Sequence, residues 1–151
     1  MAMRRRRAAA TAALLTAALF SLVSAGAAQN GQNAESFRAR LSPVPISVSM
    51  MAAIAGNGSL TATLKGKELT IQGTFEGLRS PATTVQIHRG PKGIRGPAIL
   101  DLTLTKTQKG TVSGTLELTP DQIADLRNGR LYVQMQSERA PDGNLWGWLL
   151  K

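Results

Sequence analysis

Hydrophobic and polar residues alternate with a period of two along most of the chain from residue 37 onward. Between residues 69 and 75, for example, leucine, isoleucine, glycine and phenylalanine alternate with threonine, glutamine and threonine. This period is typical of strands that have one face against a core and one face in water, and threonine suits the wet face. The pattern recurs in six segments, at residues 60–64, 69–75, 84–88, 100–105, 112–118 and 131–136.

Turn residues separate these segments. Lys65-Gly66-Lys67 joins two alternating segments and predicts a tight hairpin. An opening strand near Phe37–Leu41 and a closing strand at Asn144–Leu150 bring the total to about eight strands. Short, evenly spaced strands of this kind predict an antiparallel sandwich or barrel. Residues 43–54 have no clean period, and we interpret them as an irregular crossing or edge strand.

One segment has the signals of a short helix instead. Thr119 is a typical N-cap, Pro120 follows at the first helical position, and Gln122 completes a capping box. Two apolar residues then lie three apart on one face, and Asn128-Gly129 provides a C-terminal stop. We expect a helix of about two turns with a structural role at one end of the sheets.

The N-terminal region has the three parts of a secretory signal. Arg4–Arg7 form a basic run, Ala8–Val23 contain no charged residue, and Ala25-Gly26-Ala27 is a small-residue cleavage site. We therefore predict a signal peptide at residues 1–27, a flexible segment at 28–35 and one domain at 36–151, in the periplasm or outside the cell. The alternative is an uncleaved anchor, but the apolar run is shorter than the roughly 20 residues that a membrane span requires.

Composition narrows the possible functions. The chain has no cysteine, which excludes disulfides, thiolate nucleophiles and cysteine-held metals, and it has one histidine, His88. Without the signal peptide, 14 basic and nine acidic residues leave a net charge of +5, which gives no case for nucleic acid. We expect a protein that is not an enzyme, has no cofactor and no metal site, and has no stable membrane span after signal cleavage.

The segments at residues 37–42, 85–97, 128–134 and 140–147 together resemble the CHRD domain, which is named for chordin and is common in exported microbial proteins. The resemblance covers about residues 36–151 and implies an immunoglobulin-like β-sandwich that acts as a binding or interaction module. The chain departs from the family pattern where Gln86 and Gln136 replace histidines. It also has Asn144-Leu145-Trp146 where the family has a carboxylate and an arginine, so an ion pair of the family is lost. A neutral amide is a poor metal ligand beside imidazole.

The glycine-rich segment after residue 88 contains three cationic residues, Arg89, Lys92 and Arg95. They could form a cationic knob that binds phosphate, sulfate or an acidic polysaccharide. The alternative is a solvated loop whose glycines allow positive φ angles.

Aromatic residues give the second candidate surface. Tyr132, Trp146 and Trp148 alternate with the core-facing residues of the last strands, which places them on the outer face. There they could stack on sugar rings or on a partner protein. The alternative is that they pack inside the domain. His88 ends an apolar strand, and we favour a structural histidine bonded to a loop carbonyl over a metal ligand or general base.

These observations favour an exported, non-enzymatic binding or cell-envelope interaction module, whose partner is a protein or polysaccharide of the envelope. Two alternatives stay open. One is a copper- or zinc-binding protein of superoxide-dismutase-like shape that uses His88. The other is a structural component that assembles through an exposed sheet edge.

Overall fold

The computed structural model describes residues 33–43 and 47–151. The predicted signal peptide and residues 28–32 of the predicted flexible segment lie outside the described residues. The described part contains nine strands and one α-helix, with a 3₁₀-helix at Val48–Ala52. In chain order the elements are β1 Glu35–Pro43, β2 Asn57–Lys65, β3 Glu68–Glu76, β4 Ala82–Arg89, β5 Ala98–Asp101, β6 Thr103–Leu104, β7 Gly110–Glu117, α1 Pro120–Arg127, β8 Leu131–Ser137 and β9 Ala140–Trp148.

The strands pair antiparallel in the order β5-β4-β8-β9-β1-β2-β3-β7-β6. We call β1, β2, β3, β7 and β6 the first sheet, and the end of β1 with β9, β8, β4 and β5 the second sheet. Glu35–Leu41 of β1 pair with β2, whereas Ser42 and Pro43 pair with β9. The consecutive strands β5 and β6 lie at opposite ends of the strand order. The two sheets are therefore linked on both sides, and the arrangement is nearly closed.

The core lies between the two sheets. The strands β1, β2 and β3 of the first sheet bury alternate residues, as in β1, where Phe37, Ala39 and Leu41 are buried and the residues between them are exposed. Val133 and Met135 of β8 contribute from the second sheet. This cluster removes enough apolar surface from water to hold a domain without disulfides.

The fold confirms the predicted all-β antiparallel class with one short helix. Gly66 has a φ of 61°, and Lys65 pairs with Glu68, so the predicted hairpin has a two-residue turn with glycine first. The helix Pro120–Arg127 has the predicted capping box, in which Thr119 and Gln122 bond each other's backbone N–H groups at 3.3 and 2.9 Å.

The structure corrects the expectation in three places. The alternating segment at residues 100–105 is divided, because Leu102 separates β5, which pairs with β4, from β6, which pairs with β7. The count is therefore nine strands and not eight. Val48–Ala52 form a 3₁₀-helix and not a strand, and β1 begins at Glu35, inside the segment that was expected to be flexible.

Candidate functional site

The outer face of the second sheet carries the aromatic residues. His88 on β4 pairs with Tyr132 on β8, which pairs in turn with Trp148 on β9. Gln134 and Trp146 form the next pair, two residues along the same strands. Residues two apart on a strand share a face, so the strand register brings these five side chains together.

The rings of His88, Trp146 and Trp148 pack around Tyr132, the first two stacked and the third tilted, and we call these four residues the aromatic cluster. Tyr132 has ring-centroid distances of 5.1 Å to His88, 5.7 Å to Trp146 and 4.9 Å to Trp148. Tyr132 is 0% exposed, Trp146 3% and His88 8%, whereas Trp148 is half-buried. The ring faces of Tyr132 are therefore used by its neighbours, and packing describes Tyr132 better than ligand stacking does.

Residues 90–97, which we call the strap, cover this cluster. The Tyr132 hydroxyl donates to the Gly96 carbonyl at 3.2 Å and accepts from the Gly96 N–H at 3.0 Å. The Trp148 indole N–H donates to the Gly90 carbonyl at 3.2 Å. A Cβ on Gly96 would overlap the carbonyl oxygen of Arg89, so only glycine allows the strap to lie this close.

His88 bonds the same strap. Its Nδ1 lies 2.9 Å from the Gly96 carbonyl oxygen, as expected for a structural histidine bonded to a loop carbonyl. A carbonyl only accepts, so Nδ1 carries a proton in this hydrogen bond, and Nε2 is left to accept one in that tautomer. Among the described residues, no group of three or more His, Cys, Asp or Glu side chains is placed to hold a metal ion.

Three buried side-chain polar atoms in the described part of the chain have no hydrogen-bond partner, and all three belong to this face. They are His88 Nε2, Gln134 Oε1 and Trp146 Nε1. A buried polar atom without a partner costs about 1–3 kcal/mol, so such atoms are rare in folded proteins.

An open groove of about 690 Å³ borders the aromatic cluster where β1 meets β9. Arg38 and Arg40 of β1 line one side, Lys92 of the strap reaches it, and Trp146 and Trp148 form its apolar part. We call these five residues the cationic groove. Arg38 and Arg40 are two residues apart and exposed, so they share the outer face of β1.

The charge of this groove is not neutralised by its lining. The groove lining contains no carboxylate side chain, and the described residues include no carboxylate within 4.0 Å of Arg38, Arg40 or Lys92. Lys151, at the end of the groove, differs because it pairs with Glu35 at 2.8 Å.

Glu35 holds two cations at the start of β1. It accepts from Arg127 at 2.5 Å and from Lys151, and these two hydrogen bonds lower the pKa of its carboxyl to about 2. The same bond raises the pKa of Arg127. This ion pair ties the helix and the last residue to β1, and it serves the fold.

The structure separates the six residues that the sequence nominated. Lys92, Trp146 and Trp148 line the cationic groove. Arg89 instead forms an ion pair with the buried Asp125 of α1. Arg95 lies over the Trp146 ring, 5.2 Å from its centroid, and donates to the Asp142 carbonyl at 2.9 Å.

Sequence reasoning misses two groove residues, Arg38 and Arg40. Their signal is the alternation Phe37-Arg38-Ala39-Arg40-Leu41, which places both arginines on the outer face of β1. The two glutamines at family histidine positions also have ordinary partners: Gln86 donates to Asp101 at 2.8 Å, and Gln136 accepts from Thr84 at 2.5 Å.

Two linked antiparallel sheets with a covered aromatic face define an all-β domain of the sandwich or barrel type. The family model for the CHRD domain matches residues 37–149, and the chain belongs to the CHRD family. The chain matches no curated protein and no solved structure. None of the helices in the described part of the chain is long and apolar enough to cross a bilayer.

Proposed function

We propose that this CHRD-domain protein is an exported, non-enzymatic binding module of the cell envelope, periplasmic or extracellular, and that it binds an acidic polysaccharide in the cationic groove. One observation carries the proposal. Within the part of the chain that the structure describes, Arg38, Arg40 and Lys92 have no carboxylate partner, and they lie beside Trp146 and Trp148 in one open groove.

The groove has side chains that suit both the acidic groups and the sugar rings of such a polysaccharide. The planar guanidinium groups of Arg38 and Arg40 suit carboxylate and sulfate groups, which they can bind through two parallel hydrogen bonds. Their backbone positions are roughly 7 Å apart, because each strand residue adds about 3.4 Å. The indole of Trp148 is half-buried and offers apolar surface to a sugar ring.

The other chemistry of the domain supports a binding role more than catalysis. The chain has no cysteine, and its one histidine uses Nδ1 on the strap carbonyl. The metal-binding alternative has a single imidazole in the chain to work with, and among residues 33–43 and 47–151 no group of three or more His, Cys, Asp or Glu side chains could hold a metal ion. Assembly through a sheet edge is disfavoured because the end strands, β5 and β6, have only four and two residues.

Matched double variants test the groove. Arg38→Gln/Arg40→Gln removes two charges from the groove, and Lys65→Gln/Lys67→Gln removes two charges from the exposed β2–β3 hairpin. Binding of heparin and of alginate is measured by calorimetry at several salt concentrations. We expect the groove variant to lose about tenfold or more in affinity, and the hairpin variant to lose little.

Equal losses in the two variants would show that net charge, and not the groove, attracts the polymer. No binding of either polymer to the unaltered protein would refute the ligand class. Export is tested separately by N-terminal sequencing of the protein recovered outside the cytoplasm. We expect a start at Ala28, and a start at Met1 would refute signal cleavage.

A further inference from the structure

We infer that the strap is a displaceable cover over a second binding site, which takes a neutral sugar through its hydroxyl groups. The site consists of His88, Gln134 and Trp146, with Tyr132 between them. This inference goes beyond the proposed function, because the cationic groove recognises charge and this site offers none of its own.

The three partnerless atoms specify what the ligand must supply. His88 Nε2 and Gln134 Oε1 are acceptors, and the Trp146 indole N–H is a donor. The orientation of the Gln134 amide is fixed, because its nitrogen donates to the Asp142 carbonyl at 3.1 Å. An anion brings no donor and an ammonium group brings no acceptor, whereas a hydroxyl brings both.

The strand register places two of these atoms side by side. Trp146 and Gln134 are cross-strand partners on β9 and β8, so their side chains are neighbours on the outer face. When the strap moves, one hydroxyl of the sugar can accept from Trp146 Nε1 and donate to Gln134 Oε1. A second hydroxyl can donate to His88 on the neighbouring side of Tyr132.

The strap is held on this face by hydrogen bonds and one cation–π contact, with little apolar packing. The hydrogen bonds run to the Tyr132 hydroxyl, the Trp148 indole and His88 Nδ1, and water can replace them, while Arg95 lies over the Trp146 ring. Its one large apolar side chain, Ile94, is 59% exposed and holds little against the sheet. Gly93 has a φ of 84° and no atom within 4 Å of a Cβ placed on it, so the tip has room to move.

Tryptophan emission reports ligand binding at the aromatic cluster, because the chain has two tryptophans and both belong to it. Both also line the cationic groove, so the Gln134→Leu variant is needed to assign a shift to this site. The full mature chain is titrated with N-acetylglucosamine and with cellobiose as neutral probes. We expect at least one of them to shift the emission saturably.

Two variants must then act in opposite directions. Tyr132→Phe keeps the ring but removes the hydroxyl that holds Gly96, so the strap is easier to displace and the affinity should rise about threefold to tenfold. Gln134→Leu removes the acceptor and should weaken binding about tenfold or more. Gln72→Leu, on the exposed face of the first sheet, is the matched control and should change nothing.

Circular dichroism and thermal melting establish that each variant is folded. If Tyr132→Phe does not fold, Trp148→Phe replaces it, because it removes the hydrogen bond to Gly90 and so also loosens the strap.

The inference is overturned if neither sugar shifts the emission in the unaltered protein or in a folded loosening variant. It is also overturned if the folded loosening variant binds more weakly than the unaltered protein. Arg38→Gln/Arg40→Gln should bind the neutral sugars normally, which keeps this result distinct from the polysaccharide test.

Discussion

The outer faces of the two sheets have the same strand pattern but different surroundings. In β3 of the first sheet, exposed threonines and a glutamine alternate with buried apolar residues. In β8 of the second sheet, six of the seven residues are buried, so both faces are covered. The strap supplies the second cover. Alternation along a strand therefore predicts which residues point away from the core. Whether those residues are exposed to water depends on whether another segment of the chain covers them.

The comparison predicts very different costs for outward residues of the two sheets. Tyr132→Ala removes a fully buried ring with three aromatic neighbours, and we expect a loss of about 3–5 kcal/mol of unfolding free energy. Thr61→Ala, on the exposed face of β2, should change it by about 0.5 kcal/mol or less. Urea unfolding measures both. Similar losses would mean that the strap does not bury this face in solution.

Two glycines of the strap sharpen the comparison further. Gly96→Ala places a Cβ against the Arg89 carbonyl, so the strap must shift, and we expect a loss of about 3 kcal/mol with a red shift of tryptophan emission. Gly93→Ala changes only a positive φ in open space, and we expect a loss of about 1 kcal/mol with unchanged emission. Unfolding curves and emission spectra separate the two variants. An unshifted emission spectrum for Gly96→Ala would contradict the close contact between the strap and the aromatic cluster.

The smallest expected effect concerns Glu35, at the start of β1. Its pKa of about 2 in the folded protein lies below the ordinary 4.5, so its contribution to stability is present above pH 4.5 and is lost as the pH falls towards 2. Glu35→Gln should therefore flatten the fall of the melting temperature between pH 5 and pH 2. Glu76→Gln, which removes an exposed carboxylate 3.4 Å from Lys109, is the control. Parallel pH curves for Glu35→Gln and the unaltered protein would contradict this role.

The sequence predicts those features whose signals lie within a few residues of one another. Thr119, Pro120 and Gln122 define the start of the helix by themselves, and Gly66 defines the hairpin. The alternation also continues smoothly through Leu102, although the chain changes sheets there. The period of two shows which residues share a face of a strand. It does not show which strand is the hydrogen-bonded partner.

The candidate site was harder to predict for the same reason. Lys92, Trp146 and Trp148 could be nominated by residue type, but their meeting with Arg38 and Arg40 depends on the pairing of β9 with β1. Nor does the strap sequence Gly-Pro-Lys-Gly-Ile-Arg-Gly-Pro show a period that would indicate the sheet it lies on. Long-range pairing therefore decides the site, whereas local signals decide the elements.

The place of β1 between β2 and β9 has a consequence for how the domain is made. β1 pairs with β2, which follows it closely in the sequence, and with β9, which comes last. Beyond β9, Arg38 exchanges two backbone hydrogen bonds with Leu150. Such a closure across nearly the whole domain carries a large loop entropy and is slow. A chain emerging from a ribosome therefore cannot complete this pairing of β1 until β9 and Leu150 have been synthesised.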